Sequence, residues 1–221
     1  MKGGGLAAAA LLLAIGDAFA QTRPPPPPRL EVLLPPASAL TKDGPTVRAI
    51  GVVTDTAMLE LVRAGFPMRL HYRVELWAAR RLFDNLLASA EWDVVVRYDA
   101  LNGQYRVFRV DSTINGARQR TLGVFSRVDE AAAEVERPMR VPLAASPVTA
   151  RQYFRAVLDV ATMSNNDLDE IDRWLRGELS PAVRGERNPG TAIGRGMRRL
   201  LVRVLGEERH LEARTPSFRV P

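Results

Sequence analysis

The segment Met68–Trp77 alternates apolar and polar side chains for ten residues, and no other feature of the chain restricts its fold as strongly. The two alternating sets are Met68, Leu70, Tyr72, Val74 and Leu76, and Arg69, His71, Arg73, Glu75 and Trp77. A side-chain repeat of two residues belongs to a β-strand that buries one face. We therefore predict a strand whose first set is buried, with His71 among charges on the more solvated face as a surface residue.

Two further patterns place this strand in a mostly antiparallel sheet. Arg151–Thr162 is a second long strand, and Asn102-Gly103 joins Trp92–Leu101 to Gln104–Val110. Asn-Gly adopts the positive φ angles of a tight two-residue hairpin turn. Hairpins outnumber parallel crossovers, which favours a β-rich α+β fold. We expect a sandwich-like antiparallel sheet with short flanking helices and a helical C-terminal extension.

Shorter patterns predict the other elements. Extended segments are expected at Leu30–Leu34, Thr46–Thr54, Thr121–Phe125, Pro138–Leu143 and Leu211–Val220. Helices are expected at Ala57–Ala64 after a cap at Asp55 or Thr56, from a capping box of Ser126 and Asp129 to Glu136, at Asp167–Leu179 and at Thr191–Leu205. Arg80–Ser89 is a connection that could hold one helical turn, and Asn115-Gly116 is a turn.

The N-terminus has the pattern of a secretory signal peptide. Lys2 precedes the apolar stretch Leu6–Ile15, and Ala18-Phe19-Ala20 supplies a small-x-small cleavage site, so the mature chain would begin at Gln21. An uncleaved anchor is the alternative. We thus divide the chain into a signal peptide (1–20), a proline-rich linker (21–28), a β-rich domain (29–179) and a C-terminal extension (180–221). The linker is a stiff spacer, or alternatively a ligand for a proline-binding groove.

Composition excludes several kinds of chemistry. The chain has no cysteine, which removes disulfide scaffolds, thiolate zinc sites and thiol nucleophiles. Only His71 and His210 are available as imidazole ligands, so a multi-histidine metal site is excluded. The formal charge is +6, and all but two of the 31 cationic residues are arginine. We predict no catalytic, cofactor-binding or metal-binding residue.

Two motifs resemble known sites only superficially. Gly190–Gly196 lacks the lysine of a phosphate-binding loop, and the acidic run from Asp167 lacks the glycine of a calcium loop. Carboxylates that could supply a glycosidase-like acid pair are Glu75, Asp93, Asp99 and Asp159. The sequence places no two of them together, so an envelope hydrolase is the weakest hypothesis.

The C-terminal helix carries the most suggestive surface. Arg195, Arg198, Arg199 and Arg203 lie together on one face of the predicted helix Thr191–Leu205. Such a face could attract anionic lipid headgroups or an acidic partner. The alternative is a helix docked on the domain with a solvated arginine face. No nucleic-acid-binding motif is present, and we predict no nucleic-acid partner.

The order of several motifs resembles a known family. These are Gly65-Phe66-Pro67 before Val74-Glu75-Leu76-Trp77, then Val96-Arg97-Tyr98-Asp99-Ala100-Leu101, Gln104-Tyr105-Arg106-Val107 and Asp129-Glu130-Ala131. They resemble a bacterial exported family, the domain of unknown function number 4390, over roughly Thr46 to Asp172. The resemblance implies a compact β-rich envelope domain with an accessory role in envelope sensing, and it carries over no catalytic residue. Asp99 stands where many members have histidine.

These observations lead to three functional hypotheses. The first is an exported, non-enzymatic accessory or interaction module of the bacterial envelope, in the periplasm or at the cell surface, whose protein partner is unknown. The second is peripheral membrane association through the basic C-terminal helix. The third is the hydrolase with paired carboxylates.

Overall fold

The computed structural model describes residues 27–113, 116–148, 150–163 and 208–220. The strands are β1 (Arg29–Leu33), β2 (Thr46–Ile50), β3 (Met68–Ala78), β4 (Asn85–Asp99), β5 (Gln104–Thr113), β6 (Gly116–Phe125), β7 (Met139–Arg140), β8 (Gln152–Thr162) and β9 (Arg209–Arg214). The helices are α1 (Thr56–Arg63) and α2 (Val128–Val135), and a short 3₁₀ turn covers Ala37–Ala39.

The strands form two antiparallel sheets. The small sheet has the order β1-β2-β7, and the large sheet has the order β6-β5-β4-β3-β8-β9. β1 packs against β8 and β9, and buried side chains from both sheets belong to one apolar core. The β-rich, mostly antiparallel fold predicted from the sequence is confirmed.

The alternating segment is the centre of this core. β3 lies between β4 and β8 and pairs with both along its whole length. Its inward side chains are buried, as are those of β8; they are Met68, Leu70, Tyr72, Val74, Leu76, Phe154, Ala156, Leu158 and Val160. Burying each large apolar side chain contributes about 1.5–3 kcal/mol, so this double row is a main source of stability. The faces assigned from the period of two are correct.

The two helices begin in different ways. Asp55 caps α1, because its carboxylate accepts a hydrogen bond from the Met58 backbone N–H at 3.0 Å. The capping box predicted at Ser126 is wrong. Arg127 is the N-cap of α2 and makes no side-chain capping bond. Its guanidinium instead pairs with Asp129 at 2.7 and 2.9 Å, which occupies the carboxylate that the capping box would need.

The hairpin between β4 and β5 has a longer turn than the sequence predicts. Asp99 pairs with Gln104, so four residues form the turn and not two. The Asp99 carboxylate accepts hydrogen bonds from the backbone N–H groups of Leu101 and Asn102, at 3.2 and 3.3 Å. This Asx-type turn stabilises the wider loop, and Gly103 supplies its positive φ of 62°. The prediction of a two-residue turn is therefore wrong.

Two strands begin earlier than predicted. β4 starts at Asn85, inside the segment Arg80–Ser89 that the sequence assigned to a connection, and β6 starts at Gly116 rather than Thr121. Both strands contain a register shift, one opposite Leu76/Trp77 and one opposite Val107/Phe108. A β-bulge inserts one residue and breaks the alternation by which a strand is recognised. The helical turn considered for this connection is absent, since residues 79–84 form a loop.

Several sequence predictions lie outside the described residues. They are the signal peptide 1–20, most of the linker, the helices Asp167–Leu179 and Thr191–Leu205, and the arginines Arg195, Arg198, Arg199 and Arg203. At the C-terminal end the predicted extended segment is confirmed as β9 together with a bridge between Phe218 and Gln152. Within the described ranges, neither helix has the length and apolar character that crossing a bilayer requires.

Candidate functional site

Two arginines face each other on the inner side of the large sheet. Arg109 of β5 and Arg120 of β6 are directly opposite in register, next to buried Val94 of β4. Like charges in this position destabilise a sheet unless something neutralises them. Arg109 is partly neutralised by Asp111 at 2.6 Å, and its guanidinium lies 4.6 Å from the centre of the Trp92 ring. Arg120 has no ion-pair partner among the described residues.

The end of α2 and the strand β7 bring two more arginines to the same place. Arg137 follows α2 and pairs with Glu134 at 3.0 Å, and Arg140 of β7 reaches Asp43 at 3.3 Å. β7 is held there by its pairing with β2 of the small sheet. Residues far apart in sequence therefore meet because α2 packs over β5 and β6 and the chain after it continues into β7.

Together these elements line an open pocket of about 290 Å³. We call it the arginine pocket; its lining is Val94, Arg109, Arg120, Leu122, Glu134, Val135, Arg137, Pro138, Met139 and Arg140. Four lining residues are cationic and one is anionic, and the other five are apolar. Its volume lies at the lower end of known ligand pockets, which span roughly 300–1,000 Å³. A pocket with this lining suits a ligand that carries a small anionic group next to a short apolar group.

An aromatic pair lies directly beneath Arg109. Tyr72 and Trp92 stack with ring centroids 5.1 Å apart and planes within 5° of parallel. Both are buried, and Tyr72 Oη and Trp92 Nε1 have no hydrogen-bond partner within the described structure. Burial raises the pKa of Tyr72 far above its usual range; Glu136 raises it further and Arg109 opposes the rise. The Tyr72 hydroxyl is therefore neutral, and the aromatic pair gives Arg109 a rigid apolar base.

A second cluster lies on the outer face of the large sheet. The Asp93 carboxylate accepts hydrogen bonds from Arg69 Nε at 2.8 Å and Nη2 at 3.1 Å, and lies 2.9 Å from His71 Nδ1. Burial alone would raise the pKa of Asp93, but the hydrogen bond with His71 and the charges of Arg69 and His71 outweigh it and lower the pKa. His71 thus lies among charges as predicted, although Asp93 and Arg69 themselves are buried.

The other carboxylates weighed from the sequence are also engaged by partners. Glu75 accepts the indole N–H of Trp77 at 2.9 Å and lies 3.2 Å from Arg73 Nε. Asp99 pairs with Arg106, and Asp159 pairs with His210. Among the residues that the structure describes, no group of three or more ligating side chains could hold a metal ion. The contacts provide each of these four acids with a donor, which is a structural role.

The sequence reading did not single out the arginine pocket. Tyr105 and Val107 occupy inward positions of β5, and Arg109 follows at the next inward position. A charged residue where the alternation of the strand calls for an apolar one was the one sequence signal for the pocket. The predicted site residues Arg195, Arg198, Arg199 and Arg203 cannot be related to the pocket, because they lie outside the described residues.

The fold and the pocket define a class: a small two-sheet β domain with a cationic pocket between its large sheet, a short helix and the small sheet. A family model described as Domain of unknown function (DUF4390) matches residues 46–166, and the chain belongs to that family. No curated protein and no solved structure matches the chain. The matched residues include α1, α2 and the whole arginine pocket, whereas β1 and β9 lie outside them.

Proposed function

We propose that this protein is an exported, non-enzymatic interaction module of the bacterial envelope, and that the arginine pocket binds an anionic group of its partner. The observation that carries the proposal is the register of Arg109 and Arg120, two like charges opposed on an inward face beside an open pocket. A carboxylate or phosphate between the two guanidiniums would accept charge-assisted hydrogen bonds from both.

A second opposed pair in the same sheet shows why burial matters. Arg97 and Arg106 are also directly opposite each other, but Arg97 is exposed on the outer face. Water and salt screen charges that are exposed in this way. The Arg109 side chain is only 12% exposed, so its charge is screened much less. Arg109 therefore gains more from a bound anion than exposed Arg97 does.

The shape of the pocket supports a group borne by a larger partner. About 290 Å³ holds one acidic side chain or headgroup, and half of the lining is apolar. Arg137 and Arg140 are well exposed at the rim, where they can guide an acidic surface toward the pocket. An accessory role in envelope sensing, which the family resemblance implies, requires recognition of this kind and no chemical step.

Export and the C-terminal extension complete the proposal. The motif Ala18-Phe19-Ala20 after a short apolar stretch supports delivery across a membrane and release of a chain that begins at Gln21. The proposed helix Thr191–Leu205 would add a second basic surface through Arg195, Arg198, Arg199 and Arg203. We place the mature protein in the periplasm or at the cell surface.

A matched pair of charge reversals tests the pocket. Arg120→Glu changes the pocket, and Arg97→Glu makes the same change on another exposed strand arginine outside it. The probes are inorganic phosphate and a short acetylated peptide with one glutamate, titrated into the mature chain at low salt by NMR. We expect shifts at Arg120 and Met139 in the wild type and in Arg97→Glu, and their loss in Arg120→Glu.

Partner capture then extends the test to the envelope. A partner of the pocket should be retained from an envelope extract by the wild type and by Arg97→Glu, and lost with Arg120→Glu. Equal loss with both variants would show that net charge alone matters. Failure of both anions to bind the wild type would also refute the proposal.

A further inference from the structure

The loop between β3 and β4 presents two large apolar side chains to solvent. Leu82 is 84% exposed and Phe83 is 85% exposed, and Leu86 at the start of β4 is partly exposed beside them. Single exposed apolar residues are common on soluble proteins. Leu82 and Phe83 lie together at the tip of a loop and pack against none of the residues that the structure describes, so they form a protruding apolar tip.

The base of this loop is fixed. The Asp84 carboxylate accepts hydrogen bonds from the Arg80 backbone N–H at 3.1 Å and from the Tyr153 hydroxyl at 2.8 Å. These two bonds lower the pKa of Asp84, with the Tyr153 bond contributing most. The Ala79 N–H also donates to the Arg151 carbonyl at 2.7 Å. The apolar tip is therefore held away from the sheet and does not fold back onto it.

The charges around the base are arranged for an anionic surface. Arg80, Arg81 and Arg151 are all exposed, and Asp84, the one acid within the loop, is already bonded at its base. A short apolar tip with arginines behind it is the arrangement by which a protein inserts side chains below lipid headgroups while cations contact the phosphates.

We propose that residues 79–84 form a membrane-docking loop that inserts Leu82 and Phe83 into an anionic lipid surface. Arg80 and Arg81 contact the headgroups, and Asp84 holds the loop in the inserting conformation. The site is separate from the arginine pocket, because the β3–β4 connection lies far along the strands from Val94 and Arg109. It is separate also from the predicted basic helix, since it requires none of that helix's arginines.

Vesicle sedimentation tests the docking loop with the mature chain. The vesicles contain phosphatidylcholine alone or phosphatidylcholine with phosphatidylglycerol. Leu82→Ser/Phe83→Ser should lower binding to anionic vesicles by at least about tenfold, since burial of each side chain is worth roughly that factor. The matched control is Leu101→Ser, because Leu101 is 98% exposed at the opposite end of β4. This control should bind as the wild type does.

Further variants separate the contribution of the loop arginines from that of the apolar tip, and the docking loop from the arginine pocket and the predicted basic helix. Arg80→Gln/Arg81→Gln should remove the preference for phosphatidylglycerol, while Arg120→Glu should bind vesicles normally even if the pocket proposal fails. Phe83→Trp should show a blue-shifted emission that brominated lipid quenches. Wild-type binding by Leu82→Ser/Phe83→Ser would overturn the proposal. So would loss of binding only when the four helix arginines are neutralised, or capture of a protein by the loop with no vesicle binding.

Discussion

Replacing Asp93 by asparagine tests whether the outer-face charge cluster holds the large sheet together. The Asp93 side chain is only 5% exposed, and it receives two hydrogen bonds from Arg69 and contacts His71. Asp93→Asn leaves the Arg69 charge buried without its counter-ion. Breaking a buried ion pair in this way costs about 3–5 kcal/mol. For a chain of this length that corresponds to a fall in Tm of about 10 °C.

The double replacement separates the loss of a pair from the presence of an unpaired charge. Arg69→Met/Asp93→Leu removes both charges and fills the space with apolar atoms. Such replacements of buried pairs are often neutral, so we expect a change within about 1 kcal/mol. The separate costs of Arg69→Met and Asp93→Leu should therefore sum to far more than the cost of the double replacement. As a matched control, Asp129→Asn breaks the exposed pair with Arg127, where solvent screens the charges, and its effect should be much smaller.

The pH dependence gives an independent check on the same carboxylate. The pKa of Asp93 is lower in the folded state than the value of about 3.9 expected in the unfolded chain. The stabilisation is therefore complete above the unfolded pKa and is lost as the pH falls through the folded pKa. Urea unfolding followed by tryptophan fluorescence should show that Asp93→Asn is less stable than the wild type at pH 5 and above, and that this difference shrinks below about pH 4. A cost under about 1 kcal/mol at pH 7, or a difference that grows in acid, would refute this reasoning.

Three further outcomes are expected. A Cβ at Gly44 would lie 1.8 Å from the Val141 carbonyl oxygen, so Gly44→Ala should destabilise the domain by about 3 kcal/mol in urea unfolding. A Cβ at Gly65 would meet no atom of the described residues within 4 Å, so Gly65→Ala should cost less despite its positive φ. Equal effects of the two changes would contradict the clash. Tyr72→Phe removes a buried hydroxyl that has no hydrogen-bond partner among the described residues. The unfolding free energy should stay within about 0.5 kcal/mol of the wild type or rise, and a large loss would reveal a hidden bond. Asp99→Ala should speed hydrogen exchange at the amides of the turn it caps, while exchange in the centre of β3 should stay unchanged.

Sequence patterns predicted the parts of the fold that depend on interactions between residues close together in the chain. The alternation in Met68–Trp77 fixes which side chains face the core. Asp55 caps α1 through a hydrogen bond from the backbone N–H of Met58, only three residues further along the chain. The turn at Asn102-Gly103 was recognised, but its length was not. Asp99 lies before the turn, and its carboxylate stabilises a four-residue loop that the Asn-Gly pair alone does not specify.

The arginine pocket could not be predicted because long-range packing creates it. Arg109 and Arg120 meet only through the register of β5 with β6, and that register is shifted by a bulge at Val107/Phe108. Arg140 arrives through the pairing of β7 with β2, across more than ninety residues of chain. The exposed tip at Leu82 and Phe83 was missed for another reason. Apolar residues in a connection are expected to pack against the core, and only the structure places these two away from every other described residue.

One edge strand of each sheet comes from beyond the family-matched residues. β1 covers an edge of β2, and β9 covers an edge of β8, yet neither falls within 46–166. A recombinant fragment trimmed to those limits would bare two rows of unsatisfied backbone donors and acceptors, which invites intermolecular strand addition and precipitation. Any shortened version intended for crystallisation or binding assays should therefore keep the residues on both flanks.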